Sequence, residues 1–94
     1  PHPKKIILHC REGYQPWVDS LVEEFIRDGV IFVGVVGQDC AMIEDIIDEI
    51  VVGDGSHDYH LLTSSHPGES VEDALQFANS LTGEFAGKTH VIDV

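Results

Sequence analysis

The chain has 94 residues, of which 17 are acidic and five are basic, so its formal net charge is −12. This length is typical of one domain, and we expect residues 1–94 to form a single α/β domain. Such an acidic surface repels nucleic acids and anionic membranes, because both are bound through lysine and arginine, and it favours a basic protein or a cation as partner. Two cysteines form no disulfide framework, which predicts a reducing, cytoplasmic location.

The first half of the chain alternates strand, helix, strand and helix. Lys5–Cys10 is a short apolar run bounded by charge and predicts a buried strand. Residues 16–28 predict a helix, because proline suits the first helical turn and the apolar residues fall on one stripe. This stripe is Trp17, Val18, Leu21, Val22, Phe25 and Ile26. Residues 31–36 are apolar throughout, which is typical of a central strand covered on both faces or of one beside it. Asp39 then caps a second helix with the apolar stripe Met42, Ile43, Ile46, Ile47, Ile50 and Val51.

The second half repeats the alternation in a more polar form. Residues 53–58 are glycine-rich and polar, which indicates a loop, and residues 59–64 predict a third strand of weaker apolar character. Ser70, followed three residues later by an aspartate, resembles a capping box and predicts the start of a third helix that Gly83 ends. Residues 89–94 predict the last strand. The inward positions of the third helix are Val71, Ala74, Leu75, Ala78 and Leu81.

Three strand–helix–strand units predict a three-layer α/β fold, in which four parallel strands are joined by right-handed crossovers and covered by three helices. We expect the strand order 2-1-3-4, a shortened flavodoxin-like sheet. In that order the first helix covers one face and the other two helices cover the opposite face. Part of one face, over strands three and four, then has no helix, which predicts association of two copies as a homodimer.

Ligands of open α/β sheets bind beyond the carboxyl ends of the strands, where the strand order reverses, which is here between strands one and three. The loops that meet there are residues 9–15 and 64–69. Arg11 is the cation expected at this edge, and we predict that a neighbouring carboxylate holds it in a bidentate pair. The candidate carboxylates are Glu12, Glu69 and Asp93. The other four basic residues fall at the opposite edge: Lys4, Lys5, Arg27 and Lys88. The sequence contains no glycine-rich phosphate motif, so no cofactor is expected.

Cys10 is the most specific chemical feature of the sequence. A cysteine at the end of a strand, ahead of a loop and a helix N-terminus, is placed to act as a thiolate of lowered pKa. Cys10, Arg11 and His66 are therefore the candidate catalytic residues of a small enzyme or carrier. The competing interpretation of Cys10, and equally of Cys40, is a small half-buried apolar residue.

The run CREG at residues 10–13 resembles the phosphocysteine loop of sugar-phosphotransferase IIB domains, which also contain a four-stranded parallel sheet. The resemblance covers the strand, the cysteine, the glycine and the following helix, and it implies a phosphoryl carrier. The chain departs from that loop at Glu12, Tyr14 and Pro16. A carboxylate repels a phosphoryl group, and proline lacks the backbone N–H that would bind one.

Two further chemistries can be built from the same loops. A zinc site would combine residues that no short spacing motif joins, so no metal is expected. Its ligands would be His9, Cys10, Cys40 and His66. Ser64, Ser65 and His66 are adjacent, but sequence adjacency is not a catalytic triad, and the chain has no G-x-S-x-G elbow.

The outward face of the second helix is acidic, formed by Glu44, Asp45, Asp48 and Glu49. Such a run is usually a solvated face, yet like charges four residues apart cost some helix stability and no cation accompanies them. We therefore expect a binding or regulatory module, non-enzymatic, that engages a basic protein or cationic partner through these residues. The alternative is a small enzyme or carrier that uses a Cys10 thiolate in the cleft at the strand carboxyl ends.

Overall fold

A computed structural model describes residues 2–53 and 61–94. The described strands are β1 Lys5–Cys10, β2 Phe32–Gly37, β3 Leu62–His66 and β4 His90–Asp93. The helices are α1 Val18–Asp28, α2 Cys40–Val52 and α3 Val71–Asn79, followed by a single 3₁₀ turn at Gly83–Phe85. All strand pairs are parallel, so the predicted α/β class, with a four-stranded parallel sheet and three helices, is confirmed.

The strand order is β3-β2-β1-β4, and the predicted order 2-1-3-4 is wrong. The reason lies in the composition of the strands. β1 and β2 are almost wholly buried and occupy the centre of the sheet, where both faces are covered. β3, with the polar sequence LTSSH, takes the edge beside β2. The observed order 3-2-1-4 is the order in which the strands of the other common doubly wound arrangement begin.

The helices are distributed differently from the prediction, which placed the first helix alone on one face. Because β3 extends the sheet in the same direction as β2, the second right-handed crossover lies on the same face as the first. α1 and α2 therefore pack side by side over a large core that includes Leu8, Val22, Phe25, Val35 and Ile47. α3 alone covers the opposite face, over a smaller core formed by Ile7, Phe32, Val36, Ala74 and Ala78.

Several element ends differ from the sequence-based expectation. α1 begins at Val18, so Trp17 precedes the helix and is 44% exposed instead of joining its apolar stripe. Met42, also placed in an apolar stripe, is exposed on α2. β3 runs to His66, two residues beyond its predicted end. The first residues of that predicted strand, Tyr59 and His60, and the predicted loop over residues 54–58 lie outside the described residues.

The start of α3 follows the sequence signal. The Ser70 hydroxyl accepts a hydrogen bond from the Asp73 N–H at 3.1 Å, and the Asp73 carboxylate accepts one from the Ser70 N–H at 3.2 Å. This reciprocal pair is the predicted capping box, which satisfies two backbone donors at the helix N-terminus.

Candidate functional site

Because the observed strand order differs from the predicted one, a ligand cleft is expected at a different place in the sheet. In the observed sheet the order reverses between β1 and β4, not between strands one and three as predicted. Asp93, at the end of β4, meets β1 there. Its Oδ1 lies 2.8 Å from His9 Nδ1 and 3.7 Å from Arg11 Nη2. Asp93, one of the three candidate carboxylates, is the partner of Arg11, but the single contact is long and largely exposed, so the expected bidentate pair is not formed and the interaction is weak.

Cys10 does not have the properties of a nucleophilic thiolate. Its side chain is fully buried within the core beneath α1 and α2. Burial raises the pKa of the Cys10 thiol to about 11, and Cys40 and Asp39 nearby raise it further in the same direction. A thiolate nucleophile needs the opposite shift. The competing interpretation, a small buried apolar residue, fits Cys10 and also Cys40, which is buried as well.

The loops that follow β1 and β2 pack against each other at the carboxyl edge. Asp39 adopts a left-handed backbone, with φ 61°, and its Oδ2 accepts a hydrogen bond from the Tyr14 N–H at 3.3 Å. Gly13 has φ 80°, and a Cβ there would collide with the Asp39 carboxylate. Gly37 has φ 108°, and a Cβ there would collide with the Cys10 carbonyl. These contacts fill the region where a Cys10 cleft was expected.

The candidate catalytic set of Cys10, Arg11 and His66 is not brought together. Strand register aligns His66 with Val36 and Val36 with His9, so β2 separates His66 from β1. Side chains alternate along a strand, and His66 therefore faces α3 while Cys10 faces α1 and α2. His66 is 5% exposed, and its ring edge packs on Phe77 of α3 with ring centroids 5.2 Å apart.

His66 instead joins a chain of polar side chains with Ser64 and Glu69; sequence reasoning set Ser64 and His66 aside as mere neighbours and did not connect them with Glu69. Ser64 Oγ lies 2.8 Å from His66 Nε2, and His66 Nδ1 lies 3.5 Å from Glu69 Oε1. The spacing of Ser64 and His66 did carry a signal, because residues two apart on a strand lie on the same face. Glu69 follows in the loop before α3, three residues after His66, and reaches back to the ring.

The predicted acidic residues of α2 divide into two pairs. Asp45 and Glu49 are exposed and point away from the sheet. Glu44 and Asp48 lie beside β3, where Thr63 Oγ1 is 3.1 Å from Glu44 Oε2 and 2.7 Å from Asp48 Oδ1. The interpretation that all four side chains are purely outward-facing is therefore corrected for this second pair.

Because α1 and α2 lie on the same side of the sheet, the carboxylates of both helices contribute to one surface. The sequence analysis missed this, since its strand order separated the two helices. We call the surface the acidic helical face. It consists of Asp19, Glu23, Glu44, Asp45, Asp48 and Glu49.

Over residues 2–53 and 61–94, no three or more His, Cys, Asp or Glu side chains converge as ligands of a metal ion. The set considered for zinc is divided between the two faces of the sheet, with Cys10 on one and His66 on the other. No helix in these same ranges is long and apolar enough to cross a bilayer.

Fold and surface together define a small acidic α/β domain, in which two helices with exposed carboxylates cover one face of a parallel sheet. The chain belongs to the family described as "Domain of unknown function (DUF7684)", whose model matches residues 1–93. No curated protein and no solved structure matches the chain.

Proposed function

We propose that this protein is a binding module that engages a basic protein through the acidic helical face. The observation that carries the proposal is the placement of α1 and α2 on one side of the sheet. The six carboxylates of this face, two from α1 and four from α2, thereby share a side on which the two helices have a single basic residue, Arg27. Arg27 is already engaged, since its Nε lies 3.3 Å from Asp28 Oδ1.

Repulsion among the carboxylates of α2 also supports a basic partner, because it lowers the stability of the free helix. Glu44 and Asp48, and likewise Asp45 and Glu49, are like charges four residues apart, an arrangement that costs an isolated helix about 0.2–0.5 kcal/mol per pair. Helix α2 contains no lysine or arginine to relieve this repulsion. A basic surface docked on the helix would relieve it, so binding and helix stability favour the same state.

Two exposed apolar side chains at the N-terminal ends of α1 and α2 can provide an anchor. Trp17 immediately precedes α1 and is 44% exposed, and Met42 in the first turn of α2 is 47% exposed. Both helix N-termini follow the carboxyl ends of parallel strands, so these two residues lie at the same end of the molecule. Tryptophan and methionine are enriched at protein interfaces, where buried aromatic residues supply much of the affinity. In this proposal the carboxylates attract the basic partner, and Trp17 contributes the apolar contact that holds the complex.

The test is capture of a partner from native lysate, with the protein immobilised, at low and at high salt. The variant is Asp45→Asn with Glu49→Gln, because these side chains are exposed and leave the Thr63 contacts of α2 intact. The matched control is Glu72→Gln with Glu84→Gln, which changes the net charge equally at exposed positions of α3 and the 3₁₀ turn.

We expect capture to weaken with salt and with the α2 variant, and to be unaffected by the control variant. Charge complementarity acts mainly on the association rate and is screened beyond about 8–10 Å at physiological salt. Equal loss in both variants would mean that only net charge matters. Capture that neither salt nor the α2 variant changes would refute electrostatic recognition by this face.

We also propose a cytoplasmic location and a homodimer. The two cysteines are both free, which fits a reducing compartment. The sequence predicted a homodimer from a single uncovered surface over strands three and four. That surface does not exist, because β3 and β4 are opposite edges of the sheet. The homodimer now draws its support from those edges, where Leu62 of β3 and Val91 of β4 are exposed.

A further inference from the structure

We infer that Ser64 is a nucleophile toward carboxylic esters, activated by His66 and oriented through Glu69. This inference is independent of the acidic helical face, because the three residues belong to β3 and to the loop before α3, and Ser64 and His66 face α3. It rests on the contacts among the three side chains and on the surface around them.

The two nitrogens of the His66 ring have different partners. Nδ1 lies 3.5 Å from Glu69 Oε1, beyond a good hydrogen bond but close enough for a carboxylate charge to favour a proton on this nitrogen. The ring proton is therefore favoured on Nδ1, which leaves the lone pair on Nε2. Nε2 lies 2.8 Å from Ser64 Oγ, so the serine hydroxyl donates to it. A hydroxyl that donates to an imidazole with a carboxylate beside its other nitrogen is the arrangement of an activated serine.

The surroundings favour this chemistry at Ser64. His66 is 5% exposed, and the ring of Phe77 packs on it, so the imidazole is shielded from water. Gly34 lies opposite Ser64 on β2 and contributes no side chain, and a Cβ there would lie only 3.2 Å from Ser64 Oγ. Leu62, on the same face of β3 as Ser64, is 41% exposed, and Phe77 is 43% exposed. These exposed apolar side chains belong to the same side of the sheet as Ser64 and suit a substrate with a short apolar acyl group.

The reaction needs no reagent other than the ester and water. Ser64 Oγ attacks the carbonyl carbon while its proton passes to His66 Nε2. The bond from the carbonyl carbon to the alkoxy oxygen then breaks, and the leaving alcohol takes the proton from His66. Water attacks the acyl-serine, gives a proton to His66, and releases the carboxylic acid as that proton returns to Ser64 Oγ.

The experiment uses a fluorophosphonate probe, in which Ser64 Oγ would displace fluoride from phosphorus, with the modified residue located by peptide mass spectrometry. Hydrolysis of p-nitrophenyl butyrate is measured in parallel. The variants are Ser64→Ala, His66→Gln and Glu69→Gln. The matched control is Ser65→Ala, because Ser65 is the next residue of β3 and points to the opposite face of the sheet.

We expect the probe to modify Ser64 in the wild type and in Ser65→Ala. Ester hydrolysis should fall about 100-fold or more in Ser64→Ala and His66→Gln, the range typical of losing a nucleophile or its general base. His66 is buried, so each variant is first compared with the wild type by thermal unfolding. The Glu69 side chain is 46% exposed, so its substitution leaves the core unchanged and gives a second test: Glu69→Gln should slow modification of Ser64.

Three results would overturn the inference. The first is a wild-type protein whose Ser64 stays unmodified after prolonged incubation with the probe. The second is modification of Ser64 at the same rate in His66→Gln and Glu69→Gln, which would show an exposed but unactivated hydroxyl. The third is hydrolysis that Ser65→Ala abolishes and Ser64→Ala leaves intact.

Discussion

Lys5 is a buried lysine whose ammonium joins the start of β1 to the end of α3. Its Nζ donates to the Ala78 carbonyl at 2.7 Å and to the Gly87 carbonyl at 3.0 Å, and the residue is 2% exposed. The last carbonyls of a helix lack intrahelical partners and carry the negative end of the helix dipole, so a cation is well placed there. Burial lowers the pKa of Lys5, yet the two carbonyls stabilise its charged form.

Replacing Lys5 by methionine should therefore lower the free energy of unfolding by about 2–3 kcal/mol, because hydrogen bonds from a charged donor are lost and buried carbonyls are left without partners. The matched control is Lys4→Met, at the exposed neighbouring position, which should change stability by no more than about 0.5 kcal/mol. Urea unfolding of the three proteins measures the difference. Equal stability of the two variants would contradict a structural role for the Lys5 ammonium.

Cys10 should be unreactive in the folded protein. With its pKa raised to about 11, roughly one thiol in a thousand is ionised at pH 8, and the side chain is fully buried. Mass-spectrometric mapping of alkylation by iodoacetamide should find Cys10 modified only under denaturing conditions. Rapid alkylation of the native protein below pH 7 would reverse this conclusion and restore Cys10 as a candidate nucleophile.

The same shift predicts how alkali acts on the fold. Between the ordinary cysteine pKa of 9.0 and about 11, the unfolded chain loses the Cys10 proton while the folded protein keeps it. Stability therefore falls as pH rises through this window, by at most about 1.4 kcal/mol per pH unit for one group. Cys10→Ala should remove this part of the pH dependence while lowering stability at neutral pH. An unchanged slope between pH 9 and 11 would show that Cys10 does not titrate abnormally.

At the scale of elements, α3 depends on its N-terminal cap. It is a short helix that buries only Ala74 and Ala78 deeply, so its side-chain packing is modest. The capping box between Ser70 and Asp73 supplies partners for backbone donors that the helix itself cannot satisfy. α3 also positions Phe77 against His66, so the cap supports the surface around Ser64.

Ser70→Ala should lower the free energy of unfolding by about 1 kcal/mol, the usual effect of losing a serine cap. Ser20→Ala, at an exposed position within α1, serves as the control and should change little. Thermal unfolding followed by circular dichroism measures both. If the two variants are equally stable, the cap contributes nothing and α3 is held by packing alone.

At the scale of the whole molecule, β3 and β4 are the edge strands of the sheet within residues 2–53 and 61–94. Unpaired strand edges favour pairing with a second copy. Light scattering should therefore give a particle of twice the mass of the chain at high protein concentration. Leu62→Glu should shift the equilibrium toward monomer if β3 forms the contact, and Val91→Glu should do so if β4 forms it. A monomer at all protein concentrations would refute the homodimer.

Much of the local structure could be predicted because its causes are local. The apolar run of Lys5–Cys10, the capping signal at Ser70 and the polar character of β3 are all properties of short segments. The pairing of Arg11 with a carboxylate also followed from placing an isolated cation at an acidic edge. The Ser64–His66–Glu69 chain was missed because it depends on how a loop returns to a strand, which no spacing rule specifies.

Charge, apolar periodicity and the alternation of strands and helices determined by themselves that this protein is an acidic α/β domain with parallel strands. Only the tertiary structure decided the strand order and the faces that the helices cover. The physical reason is that a right-handed crossover is equally possible toward either edge of β1. The choice is made by the burial of whole strands, which places β1 and β2 at the centre and brings the carboxylates of α1 and α2 to one side.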